Sequence, residues 1–452
     1  MARSNKTLRI GAGAGFADDR IDPALDLVEQ GELDVLVFEC LAERTIAREN
    51  LTRQKSPERG YSPRLVERLT PVLGPALKRG TRIVTNMGAA NPEAAGREVC
   101  RIADEAGLGR IRCAVVSGDD VAELVRSRPD LALMETGEPV ESLLPRMVSA
   151  NAYLGSDVIC EALATEAPVV MTGRVADPAL FLAPAMDHFG WAYDDYPKLA
   201  AGTVTGHLLE CGSSLTGGCF ADPGMNDVAD LANVGFPIAE VGADGSVVVT
   251  KLPGTGGRVD LATCKEQLLY EIHDPARYIT ADCVLDITGV DLIQLGPDRV
   301  SVKGVRANPR TDSYKVTVGY HDGFIGEGQV SYAGINCVAR ARLASEIIKQ
   351  RLAKRGFSYS EIRVDLIGLN SVHATAPQGW PEPYEVRLRI AIRTTDRRAA
   401  EAVGFEVRAL HVNGPGGGGG GSDPSVREIL AVQSVLIPRN LVHPKVTVME
   451  HA

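Results

Sequence analysis

Ionisable side chains recur in this chain just after short apolar runs, and their types suit proton transfer next to a carbonyl. Glu39, Cys40, Glu43 and Arg44 follow the run VLVF. Glu39 there reads either as a buried general base with a raised pKa or as an ion-pair partner of Arg44. Arg174 and Asp177 follow VVMT in the segment TGRVADP. A planar guanidinium suits a carboxylate or phosphate; the alternative is an internal Arg174–Asp177 bridge, with Asp177 capping a helix before Pro178. Asn86 and Gly88, in NMGAANP, suit carbonyl or carboxylate recognition, while Asn91 doubles as a helix cap. His207 and Glu210 stand one helical turn apart in GHLLECG, either as an acid and its orienting base or as a satisfied structural histidine. With only Asp222 nearby as a third ligand, the pattern is too sparse for a metal, and none is expected.

Glycine-rich turns form the second class of candidate. Gly11, Gly13 and Gly15 run from an apolar stretch towards Asp18 and Asp19. Glycines there allow close backbone approach to a ligand, and a helix start offers free N–H donors. The spacing is G-x-G-x-G, so the dinucleotide fingerprint is not met, and the two aspartates would serve those donors themselves. Late in the chain, Asn413, Gly414 and Pro415 precede a run that starts at Gly416 and Gly417 and ends at Gly421. It reads either as a flexible linker or as a nest of backbone amides for an anion.

The elements that must position these residues are legible as alternating strands and helices. Strands are expected over 8–12, 34–39, 81–86, 110–117 and 169–172, with crossover helices between them. Short apolar runs without alternation predict a parallel sheet covered on both faces. One helix should stop at Gly31, and another should open at Asn91-Pro92. After about residue 215, β-formers cluster around turns, predicting a mostly antiparallel lobe. A long helix over 335–354, strands over 362–366 and 384–392, a helix in TTDRRAAEAVGFEVRAL, a helix-like VREILAVQ and final strands complete the chain. The expected fold is therefore α/β: a parallel-sheet domain over 1–215, a β-rich lobe or insertion over 216–334, and an α/β C-terminal part over 335–452 with the glycine-rich loop.

Composition bounds the function classes. Of 452 residues 44% are hydrophobic and only 5% aromatic, which predicts a large aliphatic core. A net charge of -10 argues against a general nucleic-acid binder. The nine cysteines include no C-x2-C pair, which suits buried thiols in a reducing compartment. The chain has neither a leader-like apolar region near its start nor a run able to span a bilayer, so a cytoplasmic protein without membrane contact is expected.

Taken together, GAGAGFADDRIDPALDLVEQGELDVLVFECLAERTIA, NMGAANP, TGRVADPALFLAP, GHLLECGSSLTGG and NGPGGGGGG resemble the AtuA family, named for acyclic terpene utilisation. The resemblance runs in order from about residue 8 to 438. It implies an acyl-CoA or carboxylate substrate in the breakdown of branched or terpenoid acids. The expectation is a catabolic enzyme using acid/base chemistry, a hydratase, dehydratase or isomerase. Glu39, His207, Glu210 and Asp177 would be catalytic, and Arg174 and the glycine loops would hold the anion. No cofactor is expected, CoA entering only as part of a thioester substrate, and the partners are a small anionic metabolite and further copies of the chain in a homo-oligomer. Two alternatives stay open: a non-catalytic partner of an acyl-CoA carboxylase, and a metal-dependent hydrolase.

Overall fold

A computed structural model describes residues 7–373, 375, 379 and 381–450. The chain divides into two compact units, one made of residues 1–319 and 432–452, the other of 320–431.

The first unit is built on a ten-stranded sheet. Its core is five parallel strands, β1 (Thr7–Ala14), β2 (Val35–Phe38), β3 (Arg82–Thr85), β4 (Arg112–Ser117) and, after a further strand β5 (Met147–Ala152), β6 (Val169–Thr172). They lie in the order β1-β2-β3-β6-β4, every neighbouring pair parallel. These are the five expected strands, and the absence of alternation has the expected cause: all four residues of β2 and of β6 are buried. The mixed α/β architecture with a parallel core is thus as the sequence predicts. Strand β7 (Pro237–Gly242) extends one edge antiparallel to β1, β8 (Val247–Lys251) follows antiparallel to β7, and Lys445–Glu450 closes the other edge against β4.

Helices α1 (Asp22–Gln30), α2 (Glu43–Lys55), α3 (Leu65–Arg79) and α4 (Pro92–Glu105) connect the early strands. Gly31 ends α1, its N–H bonded to the Leu27 carbonyl at 2.8 Å. Asn91 caps α4 ahead of Pro92, its side chain accepting from the Ala94 N–H. Short α5 (Ala122–Arg126) and α6 (Ser156–Leu163) precede α7 (Ala179–Phe189) and α8 (Tyr196–Leu209), and α9 (Leu261–Leu269) opens with an Asp260 capping box. Leu27, Leu36, Phe38, Leu69, Val72, Val99 and Met171 belong to one continuous aliphatic core.

In the second unit, strands Glu361–Ile367 and Glu385–Thr394 pair antiparallel in a sheet that continues through Ser313–Ala333 and Ser425–Pro438. Val386, Leu388, Ile390 and Ile392 recur with the strand period of two and join Ala341, Ile348, Val403 and Leu410 of helices Cys337–Lys354 and Arg397–Asn413 in a core. Two sequence readings change here. SYKVTVGYHDGFIGEGQVSYA is one 21-residue strand, its glycines absorbed without a turn, and VREILAVQ is extended inside Ser425–Pro438. Pairing with a long neighbouring strand overrides the weak helical spacing of VREILAVQ.

Candidate active site

Each parallel strand of the first unit ends on a residue singled out by its chemistry or its size. Gly15 follows the end of β1, Glu39 that of β2 and Asn86 that of β3, while Arg174 and Asp119 stand two residues beyond β6 and β4. Because neighbouring parallel strands end side by side, these residues share one edge of the sheet.

Glu39 is buried, and one carboxylate oxygen accepts from the Leu41 N–H at 2.8 Å and the Asn86 amide at 2.9 Å. The Asn86 oxygen in turn accepts from the Cys40 N–H at 2.7 Å, so the amide orientation is fixed at both ends. Burial pushes the Glu39 pKa up to about 8, helped by the charge of Asp177 and opposed by those two hydrogen bonds and by Arg174. Among the described residues no ion pair joins Glu39 to Arg44.

Arg174 is 1% exposed, and its two terminal nitrogens are engaged from within while its Nε is buried without a partner. One terminal nitrogen donates to the Leu41 carbonyl, the other meets Asp177 at 2.6 Å, and the guanidinium lies 4.0 Å from the centre of the Tyr153 ring. The internal Arg174–Asp177 bridge is therefore present. Its backbone N–H donates to Asp119 at 3.0 Å, and Asn151 donates to the same carboxylate oxygen at 2.8 Å. Burial nonetheless pushes Asp119 up to about 6. Asp177 is the open member of the group, its side chain 32% exposed. Burial pushes its pKa upward against the pull of Arg174. Glu43 sits on the far side of Tyr153, bonded to its hydroxyl and 3.4 Å from Lys315. Burial raises its pKa, but Arg174, the Tyr153 hydroxyl and Lys315 outweigh that and hold it at about 2.

His207 and Glu210 form a separate buried pair. The histidine Nδ1 is 3.3 Å from a Glu210 oxygen and its Nε2 is 3.1 Å from the Leu268 carbonyl. A carbonyl only accepts, so Nε2 carries a hydrogen, and Nδ1 and Glu210 share one further proton between them. Burial pushes Glu210 up to about 7, with Asp177 and Glu271 adding to the rise against His207. Its other oxygen is buried without a partner. Both ring nitrogens are thus committed to protein groups, and Asp222 lies apart in a turn closed on Asn226. No three His, Cys, Asp or Glu side chains among the described residues gather as a metal ion would require.

The glycines of the first motif have packing roles. Gly11 and Gly13 lie inside β1, which runs further than expected, and a Cβ on either would meet Leu33 at 2.5 Å or Phe38 at 2.6 Å. A Cβ on Gly15 would stand 2.6 Å from the Cys211 carbonyl oxygen, and one on Gly88 2.5 Å from that of Thr172. Helix α1 begins only at Asp22, so Asp18 and Asp19 precede it. Asp19 accepts the Gly15 and Arg20 N–H groups at 2.8 Å each, and Asp18 pairs with Arg64 at 3.3 Å. Buried Arg68 binds the carbonyls of Ala17, Asp19 and Arg20 and holds the turn. The remaining candidates belong to the second unit. Asn413 ends a helix, its amide on the Ala409 carbonyl at 3.2 Å, and Gly414 packs on Leu410. Gly416 accepts from Arg340 at 2.8 Å, and Gly417 has a left-handed φ of 74°.

Sequence reasoning missed Asp119, Tyr153 and Asn151. Asp119 obeys the same rule as Glu39, an acid just past a parallel strand, and SGDD could have been read that way. Tyr153 and Asn151 come with β5, whose MVSANA lacks a distinctive pattern.

A family model described as acyclic terpene utilisation family protein AtuA matches residues 8–448, and the chain belongs to that family. Membership connects it with acyclic terpene utilisation. No curated protein and no solved structure matches it. No helix among the described residues is long and apolar enough to cross a membrane.

Proposed function

We propose that this AtuA-family chain is a hydro-lyase or isomerase that moves a proton beside the carbonyl of an acyl-CoA or free carboxylate. The observation that carries the reading is Glu39, a buried carboxyl at the end of a parallel strand whose pKa is pushed up to about 8 beside a second carboxyl, Asp177. Two carboxyls in one field do not ionise together, and the one touching a cation gives up its proton first. Arg174 touches Asp177 and favours its ionised form, so we assign Asp177 the role of base and Glu39, pushed up to about 8, that of acid. In a hydration, Asp177 takes a proton from water as its oxygen bonds to the β-carbon, and Glu39 protonates the α-carbon. In an isomerisation, Asp177 removes a proton from carbon and Glu39 returns one elsewhere on the same conjugated system. Arg174 positions Asp177, and Asn86 orients Glu39.

The test is solvent deuterium incorporation into a series of α,β-unsaturated branched acyl-CoAs and the matching free acids, read by mass spectrometry. Glu39→Gln and Asp177→Asn should each slow exchange by roughly 100-fold or more, the usual weight of one general acid or base. Exchange at the wild-type rate in both variants would remove these roles.

A further inference from the structure

The six glycines from Gly416 to Gly421 have no part in the chemistry above. A flexible linker would leave such a run unattached, but this one is laid along the strand Ser313–Ala333. Ser331 and Gly419 exchange backbone hydrogen bonds of 2.8 and 3.0 Å, and Arg340 holds the Gly416 carbonyl. Gly421 runs so close to the Gln329 carbonyl that a side chain there has no room. Gly419 spends its N–H on Ser331 and Gly418 closes a turn over Gly416 and Gly417, while among the described residues the N–H groups of Gly420, Gly421 and Ser422 have no backbone acceptor.

What the missing side chains leave is a cleft of about 470 Å³ inside the second unit. The glycines form one wall, and Arg408 and His411 of the helix Arg397–Asn413 stand in another. Tyr332, only 1% exposed, also lines it, and its hydroxyl is buried without a hydrogen-bond partner. A Cβ on Gly418 would stand 3.3 Å from that hydroxyl, so glycine there preserves the space above it. An orphaned buried hydroxyl is costly unless something fills its place. Among the described residues Arg408 pairs with Asp423, which also lines the cleft, at 3.2 Å, with side chains 68% and 98% exposed, so the pair holds it weakly.

We propose that this cleft binds the phosphate of a small phosphate ester. The glycine backbone, a guanidinium, an imidazole and an unpartnered hydroxyl lining one cleft match the several oxygens of a tetrahedral phosphate, more donors than a carboxylate can use. Val330, Val407 and Leu410 give the ester's organic part an apolar floor. The site lies wholly within residues 320–431 and does not depend on the role given to Glu39.

The full-length chain is titrated by calorimetry with inorganic phosphate, pyrophosphate and CoA at low salt. Wild-type protein should bind pyrophosphate and CoA, and binding of inorganic phosphate would show that the anion alone suffices. Arg408→Gln, an exposed change that leaves the fold intact, should weaken binding about 10- to 100-fold, the weight of one charge-assisted hydrogen bond. Gly418→Val, checked for folding by circular dichroism, should abolish it. No binding of any probe at millimolar concentration overturns the proposal. So does binding of CoA without pyrophosphate, or unchanged affinity in both cleft variants.

Discussion

Replacing Glu39 with glutamine should stabilise the first unit, and by an amount that depends on pH in a defined way. The unfolded chain releases this proton near the ordinary 4.5, whereas the folded protein holds it to about 8. Between those values the folded state binds one more proton than the unfolded state, so the contribution of Glu39 to stability falls as pH rises. Below the unfolded value it is neutral; above the folded value its full penalty is present. A gap of about 3.5 units at about 1.36 kcal/mol each gives a penalty of about 5 kcal/mol, an upper figure since the surroundings relax around the charge. Glutamine keeps an oxygen for the Leu41 and Asn86 donors and stays neutral, so it reproduces the protonated carboxyl. Buried Trp191 reports unfolding of this unit by fluorescence in a Trp380→Phe background. Urea titrations from pH 5 to 9 should show the Glu39→Gln protein gaining on its parent by about 1 kcal/mol per pH unit and levelling off above about 8. Parallel stability curves across that range would refute the buried, proton-holding carboxyl and the acid role built on it.

Two further outcomes follow from the same geometry. Gly15→Ala puts a methyl against the Cys211 backbone and should cost about 1–3 kcal/mol in urea denaturation, whereas Gly416→Ala, with open space at its Cβ position, should stay within about 0.5 kcal/mol. Arg174→Gln leaves Asp177 and Glu43 without their shared cation and should cost about 3–5 kcal/mol; in protein that stays folded, the Glu43 carboxyl followed by NMR should titrate well above about 2. A loss below about 1 kcal/mol would show that Arg174 is not the hub of the group.

The parallel core was legible because burial on both faces leaves a plain signature, an apolar run too short for a helix. Asn91-Pro92 and Gly31 marked helix ends for equally local reasons. Glu39, Asn86 and Arg174 could be singled out because the ends of such strands are where side chains can be functional without disturbing the core. Less legible were features decided by distant partners. The strand Ser425–Pro438 takes its form from the strand beside it, and Arg174 finds its acceptors at Leu41, 133 positions away. The glycines of β1 invited a ligand because glycine permits close approach, yet spacing alone does not say what approaches. At Gly15 it is the Cys211 backbone, and at Gly88 the Thr172 carbonyl.

That substitution of neighbour for ligand bears on how the acidic cluster works. Close packing of the loops at Gly15 and Gly88 brings the strand ends together, and with them more carboxyls than cations. Glu43 has Lys315 and Arg174, and Asp177 has Arg174 in contact, while Glu39 among the described residues is hydrogen-bonded by neutral donors, the Leu41 N–H and the Asn86 amide, and feels Arg174 only through space. A charge without a counterion in a buried place keeps its proton, so the raised pKa of Glu39 is what remains once the cations are allotted. The His207–Glu210 pair repeats the logic with a single proton between two buried groups. The cluster is in this sense under-neutralised by construction: Arg174 is spent on Asp177, and Glu39 is left to hold its proton.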